Sequence, residues 1–300
     1  MPHSSGGTIS APPENRVMFP ARGMASDQPR GGLPVVSDVM LAAERRIVGA
    51  VGVRRARPAG GHRPSSPAGA GWLHEQGFPA VRPLDLSQPV EAHGYLVTFW
   101  RYIPASVPPS EDVESLGRLL RRLHELGDPP AELPSARPLS SLSEDAERCA
   151  WLTAEQRSWV LGRADELTRQ YDETTWALGC GMIHGDAYAD NVLQTWNGPV
   201  LADWDSVSCG PREQDIVPTS IRHRFGRPVS EWHQFCAAYG VDPDDLPGLA
   251  VLRQMRELRS LVPYIRSTGK PAATAEGTRR ITDLMSGTQS EPWQALNLAF

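Results

Sequence analysis

The sequence predicts an α+β protein, with strands in its first third and a mostly helical remainder. Three observations carry this. The run HGYLVTFWRYI (93–103) is rich in aromatic and β-branched residues and reads as a strand. Leu116, Leu119, Leu120, Leu123 and Leu126 follow helical spacing soon after it. Helical patterns then fill the chain to its end, interrupted near residue 190 by a pair of short apolar runs. There is no internal repeat.

Three hundred residues suffice for one large domain or two modest lobes. Apolar residues make up 40%, enough for a packed core, and a net charge of −5 is too mild for a nucleic-acid binder. No apolar run approaches membrane-spanning length, and the N-terminus lacks the pattern of a signal peptide. Cys149, Cys180, Cys209 and Cys236 stand far apart with no CxxC pair. That argues against zinc or a disulfide framework and fits a reducing cytoplasm. The expected partners are small molecules, with no nucleic acid and no membrane.

Taken in order, residues 1–70 hold 10 Gly and 9 Pro, and Phe19 is their only aromatic. So few large apolar side chains do not offset the entropy of ordering, and 1–33 read as disordered. Residues 34–57 offer a short helix and a strand-like run from Ile47 to Val53, before the loop-like RPAGGHRPSSPAGAG (57–71). GWLHEQGFPAVRPLDL (71–86) reads as a helix end, a stop at Gly77 and a strand. The leucine-rich helix follows 93–103, with Ser110 as its cap and Glu111 and Asp112 at the positive end of its dipole. Further helices are expected at about 154–171, 229–239, 248–267 and 273–285.

The chemistry concentrates in MIHGDAYADNVL (182–193) and the VLQTWNGPVLADWDSV that overlaps it. The latter reads as a β-hairpin turning at Asn197-Gly198, with Asp203 and Asp205 at the end of its second strand. A hairpin this short brings Asp186, Asn191 and Asp203 together. Phosphoryl transfer needs such a set: one aspartate to receive or orient the attacking hydroxyl, and hard oxygen ligands for Mg²⁺ on the triphosphate.

His184-Gly185-Asp186, then Asn191, then an apolar strand ending Asp203-Trp204-Asp205 resembles the aminoglycoside phosphotransferase family, relatives of the protein kinases. LGRLLRRLHEL (116–126), GPREQDIV (210–217) and WLHEQGFPAVRPL (72–84) extend the likeness, which covers about 71–290. It implies a two-lobed, protein-kinase-like α+β fold. A small, divergent N-lobe over 34–104 would face the nucleotide, and a helical C-lobe over 105–300 would hold the catalytic loop and acceptor. It implies Asp186 as catalytic base, Asn191 and Asp203 as Mg²⁺ ligands, and ATP as co-substrate. Asp205 is a further contact at most, His184 shapes the loop, and Asp215 matches an aspartate of the family. Structural roles suit Asp205 and Asp215 at least as well as chemistry. An aminoglycoside-like amino sugar is the first acceptor by resemblance, with antibiotic resistance as its consequence.

A kinase-like N-lobe also needs a cation on the nucleotide phosphates. The single lysine, Lys270, lies far along the helical part, so Arg54 or Arg55 is the candidate. Gly49 and Gly52 hint at a phosphate-covering loop, and the strand end near 99–102 offers backbone groups to adenine. No acid in 58–71 stands ready to hold the arginine, and Pro64 and Pro67 disfavour a helix there. An active enzyme with a divergent N-lobe, a non-catalytic pseudokinase binding a nucleotide or metabolite, and a misassigned first 70 residues all follow from this. A metal-dependent hydrolase using His184, Asp186, Asp203 and Asp205 is weaker, because the other histidines have no ligand spacing. A protein kinase is weaker too, since the 11 residues between Asp203 and Asp215 leave no room for a peptide-docking segment. Asp242, Asp244 and Asp245 read as a solvated turn or, alternatively, an acidic rim.

Overall fold

The computed structural model describes residues 51–56, 66–92, 95–103, 112–127, 133–267 and 269–295. The disorder expected over 1–33, the helix expected within 34–57 and the cap expected at Ser110 fall outside them.

Three strands, β1 (Val51–Ala56), β2 (Val90–Ala92) and β3 (Tyr95–Arg101), form an antiparallel sheet in the order β1-β3-β2. The aromatic, β-branched run takes the central place, where a strand is flanked on both edges. At three residues, β2 is too short to leave a readable pattern.

Helix α1 (Ser66–Glu75) corrects the loop expected over 57–71 in its last part, 66–71; residues 57–65 lie outside the described residues. It starts at Ser66 and puts Pro67 in its first turn, where a missing N–H is harmless. Gly77 then ends the run in the left-handed region (φ 65°), as expected. The strand expected next does not form. Pro79 and Pro83 remove donors there, and residues 79–84 instead make single bridges to two different sheets. Val81 N–H donates to the Leu201 carbonyl and Leu201 N–H to that of Pro79 (3.1 and 2.8 Å). Leu84 N–H donates to Phe99 O, and Arg101 N–H to Arg82 O (2.9 and 2.8 Å).

Helix α2 (Val113–Glu125) starts at Asp112, whose Oδ1 accepts from Ser115 N–H at 2.8 Å. Its stripe Leu116, Leu119, Leu120 and Leu123 is buried, each leucine contributing about 1.5–3 kcal/mol relative to exposure. Helix α3 (Leu142–Arg148) was not expected, while α4 (Ala154–Glu173) is the helix expected from 154 and opens on a Thr153–Gln156 capping box.

Strand β4 (Cys180–Ile183) pairs with β7 (Ser208–Pro211), enclosing the hairpin of β5 (Val192–Thr195) and β6 (Gly198–Leu201). The hairpin turns at Trp196-Asn197, one residue earlier than expected. Thr195 Oγ1 accepts from Asn197 N–H and donates to the Gly198 carbonyl, closing the turn before Gly198.

Helices α5 (Glu213–Ser220), α6 (Val229–Tyr239), α7 (Leu249–Arg259), α8 (Val262–Arg266) and α9 (Pro271–Ser286) follow. The single helix expected over 248–267 is two, because the ring of Pro263 clashes with the carbonyl four residues earlier, at Arg259. All four cysteines are free thiols, and no described helix is long and apolar enough to cross a membrane.

The glycines of two helices set up opposite outcomes. A Cβ on Gly117 would sit 2.8 Å from the Phe235 carbonyl and 3.1 Å from the Ala238 side chain, where α2 crosses α6. Gly162, exposed on α4, meets nothing within 4 Å. Gly117→Ala is expected to destabilise by about 1–3 kcal/mol through overpacking. Gly162→Ala is expected to stabilise by about 0.5–1 kcal/mol. Urea unfolding of both variants checks the pair, and equal effects would show that α2 and α6 are not tightly docked.

Candidate active site

The apolar run Met182-Ile183 buries β4 and delivers the chain into His184-Gly185-Asp186. The loop is then held from below. His184 N–H and Gly185 N–H donate to the two oxygens of the fully buried Asp215 carboxylate, at 2.6 and 2.8 Å. Asp215 Oδ2 also lies 3.2 Å from Nε2 of His124 on α2, whose Nδ1 is 2.8 Å from the Tyr239 hydroxyl on α6. Burial, and the nearby Asp215 charge, push the Tyr239 phenol well above its ordinary value, so it stays a donor. Nδ1 then accepts from Tyr239 and Nε2–H donates to Asp215.

Both nitrogens of His184 are engaged. Asp186 N–H donates to Nδ1 (3.3 Å), and Nε2–H donates to the Ala202 carbonyl (2.9 Å). The ring is fully buried against Trp204, with centroids 4.7 Å apart. A histidine so bonded has no lone pair for a metal, which removes the basis of the hydrolase alternative and fits the loop-shaping role. Gly185 has φ 77°, and a Cβ there would come within 2.2 Å of the Ser206 carbonyl. No side chain fits.

Of the four expected site residues, Asn191 contacts Asp186 directly, and Asp203 follows a backbone tie to Asn191. Asn191 Nδ2 donates to the backbone carbonyl of Asp186 at 2.9 Å, fixing the amide so that its oxygen is left for another partner. Ala202 N–H donates to the Asn191 carbonyl at 2.9 Å, which puts Asp203 one residue beyond that tie. Asp203 is the one non-glycine with positive φ (70°) among the described residues. Such a conformation costs a non-glycine residue about 1–2 kcal/mol. Asp205 is exposed in the short turn Trp204–Ser206. Arg54 is placed on β1 opposite Thr98 of β3, in a different sheet, and its side chain lies outside the described residues. Asp242 caps a turn by accepting from Asp244 N–H (3.0 Å), the solvated turn expected there.

Asp186 itself is 37% exposed, with Arg256 of α7 donating from Nη2 to its Oδ1 at 2.9 Å. The same nitrogen bonds the Tyr188 hydroxyl, and the guanidinium lies 4.8 Å over the Tyr188 ring. Burial would raise the Asp186 carboxyl, but Arg256 and Arg259 more than offset it and hold it below the ordinary carboxylate range. Sequence reasoning missed Arg256, Arg259 and Tyr188. Arg253, Arg256 and Arg259 recur every three residues on one helix, a signal that also describes an ordinary solvated face.

Among the described residues no group of three or more His, Cys, Asp and Glu side chains is placed to hold a metal. The donors at hand, the Asn191 amide oxygen and the Asp203 carboxylate, are a sparse, all-oxygen pair. That suits Mg²⁺, which keeps several waters and takes the rest of its shell from phosphates.

Comparison with known proteins fits this geometry. Residues 68–258 match the phosphotransferase enzyme family. No curated protein matches. Among solved structures, a microcompartment-associated aminopropanol kinase is 19% identical over 77% of this chain and 82% of its own, with a TM-score of 0.60. An amicoumacin kinase solved with AMP-PNP, Ca²⁺ and Ami is 16% identical over 81% and 83%, at 0.59. The choline kinase LicA from Streptococcus pneumoniae is 12% identical over 84% and 98%, at 0.58. These likenesses establish the two-lobed kinase-like fold, with a small strand-bearing part and a larger helical one. The chain belongs to the phosphotransferase enzyme family and is a small-molecule phosphotransferase acting on hydroxyl groups.

Proposed function

We propose that the protein transfers the γ-phosphoryl group of ATP to a small-molecule hydroxyl with Mg²⁺ as its metal, and that Asp186, Asn191 and Asp203 carry the reaction. The observation behind this is the bond from Asn191 Nδ2 to the Asp186 carbonyl, with Asp203 one residue past the Ala202–Asn191 tie. One amide thereby sets the distance between the residue that meets the acceptor and the residues that meet the metal. Oδ1 of Asp186 is taken by Arg256, which leaves Oδ2 to receive the acceptor hydroxyl. Asn191 Oδ1 and the Asp203 carboxylate would hold Mg²⁺. When bound, the metal neutralises charge on the transferring phosphoryl group.

Residues 34–104 would face the nucleotide and 105–300 the acceptor, with Arg54 as the cation on the phosphates. The family resemblance puts an aminoglycoside-like amino sugar first among acceptors, and antibiotic resistance first among its consequences. The amicoumacin kinase, solved with AMP-PNP and Ami, is a neighbour in fold at 16% identity.

Three expected outcomes test the reading. Asp186→Asn keeps the shape and loses the proton acceptor, so kcat is expected to fall about 10²–10⁴-fold with the melting temperature nearly unchanged. Near wild-type turnover would remove Asp186 from the chemistry. Asn191→Ala and Asp203→Ala are expected to raise the half-saturating Mg²⁺ concentration about 10-fold or more at fixed ATP. An unchanged Mg²⁺ titration in both would exclude them as ligands. Asp215→Asn replaces one acceptor oxygen with an amide NH₂, which faces the backbone N–H of His184 or of Gly185 and cannot accept from it. It is expected to lower stability by about 1–3 kcal/mol and kcat together, in contrast to Asp186→Asn. Turnover measured beside thermal melting separates the two patterns.

A further inference from the structure

Three arginines project from α7 at every third position, and each meets a different environment. Arg253 serves the fold, its guanidinium 5.3 Å over the Trp232 ring. Arg256 is locked between Asp186 and Tyr188. Arg259 makes no hydrogen bond or ion pair with a described residue. It lines, with Arg256, a cleft between α5 and α7 beside Gly185, one residue from Asp186. Gln214 of α5 forms another wall of the same cleft, and its Oε1 is buried there with no partner. Val217 and Met255 make the apolar sides. The free volume is about 20 Å³, room for one water-sized group and not for a sugar ring.

This arrangement is unbalanced in charge. Two guanidinium groups face one carboxylate, and Arg256 already pairs with that carboxylate. Burial, and the like charge of Arg256, lower the proton affinity of Arg259 despite the opposing pull of Asp186, which Arg256 already pairs. An ammonium group brought to this wall meets repulsion. An oxyanion meets a fork of donors, and a hydroxyl or amide N–H meets the unpartnered Gln214 oxygen.

We propose that the acceptor is an anionic polyol: it carries a carboxylate or phosphate near the hydroxyl that is phosphorylated, and Arg259, assisted by Arg256, receives one oxygen of that group in the cleft between α5 and α7. The proposal rests on the phosphotransferase reading above and replaces the amino sugar as acceptor. The step balances in the ordinary way. The acceptor oxygen forms a bond to the γ-phosphorus, the bond from that phosphorus to the β,γ-bridging oxygen breaks, the hydroxyl proton passes to Asp186, and ADP leaves. The oxyanion takes no part in it; Arg259 is a specificity-determining residue.

A matched set on one scaffold tests this: glucosamine (cationic), glucose (neutral), glucuronate (carboxylate) and glucose 6-phosphate (phosphate). Binding of each to the full chain with Mg²⁺ and AMP-PNP is followed by ligand-observed NMR, and transfer from ATP by ³¹P NMR. At least one anionic sugar is expected to bind at least 10-fold more tightly than glucose, with glucosamine weakest. The two anions separate the carboxylate from the phosphate form of the proposal. Arg259→Gln is expected to bring the anionic and neutral sugars within about 3-fold of each other, mainly through KM, and Arg259→Lys to restore part of the difference. Thermal melting confirms that both variants are folded. A preference for glucosamine, an anion preference that survives Arg259→Gln, or no Arg259-dependent binding of either anion overturns the proposal. Arg259-dependent anion binding without transfer of phosphate to any sugar leaves the anion site standing and overturns the phosphotransferase reading instead.

Discussion

The Asp215 carboxylate is the constraint on which the site depends. It accepts backbone N–H groups from His184 and Gly185 at once, so the loop before Asp186 has one conformation. A buried carboxylate is expensive unless its lone pairs are satisfied, and here two backbone donors and a histidine N–H satisfy them. Because His124 rides on α2 and Tyr239 on α6, the same network ties the loop to the two helices whose close crossing Gly117 permits. Core packing and loop geometry are therefore one system. A change that separates α2 from α6 pulls on His124 before it reaches the loop.

Electrostatics around Asp186 run against the simplest idea of a general base. Arg256 and Arg259 hold the carboxyl below its ordinary range, which makes it a weaker proton acceptor. For a loose phosphoryl-transfer transition state this matters little, since the proton leaves the acceptor late and most of the barrier is lowered by positioning. A carboxylate fixed in ionisation and direction serves that need better than a stronger base that is free to turn. Tyr188 contributes to the fixing: its ring and hydroxyl both hold Arg256, so the arginine approaches Oδ1 and not Oδ2.

What the sequence made legible follows how local each signal is. The HGD…N loop, the hairpin and the leucine stripe were readable because spacing within about 20 residues determines them. Helices α4 and α6 were placed from their patterns almost to the residue. Strands β4 and β7 were not read, since each is four residues long and their pairing spans the whole hairpin. The helix at Ser66 was missed because Pro67 counts as a breaker in a list but not in a first turn. Asp112, read only as an acid at the dipole end, is the residue that caps the helix. Arg256 and Arg259 were illegible for a stronger reason. Their role depends on α7 packing beside the loop, 70 residues away from Asp186, and nothing local distinguishes them from the other arginines of an arginine-rich chain.

The segment 79–84 explains how the sheet and the loop keep a common frame. On one side its backbone bonds Phe99 and Arg101 of β3, on the other Leu201 of β6. Leu201 precedes Ala202, whose carbonyl holds His184 and whose N–H holds Asn191, and Asp203 comes next. A short path of backbone hydrogen bonds thus leads from the central strand through 79–84 to Leu201, and from there along the chain to Asp203. A nucleotide resting on the end of β3 and a metal held at Asp203 would be positioned against one another by the segment that hydrogen-bonds both. The two prolines that prevent 79–84 from being a regular strand also keep it from zipping onto either sheet alone. Each edge is left with donors and carbonyls for a different neighbour, and that is what makes the segment a coupler.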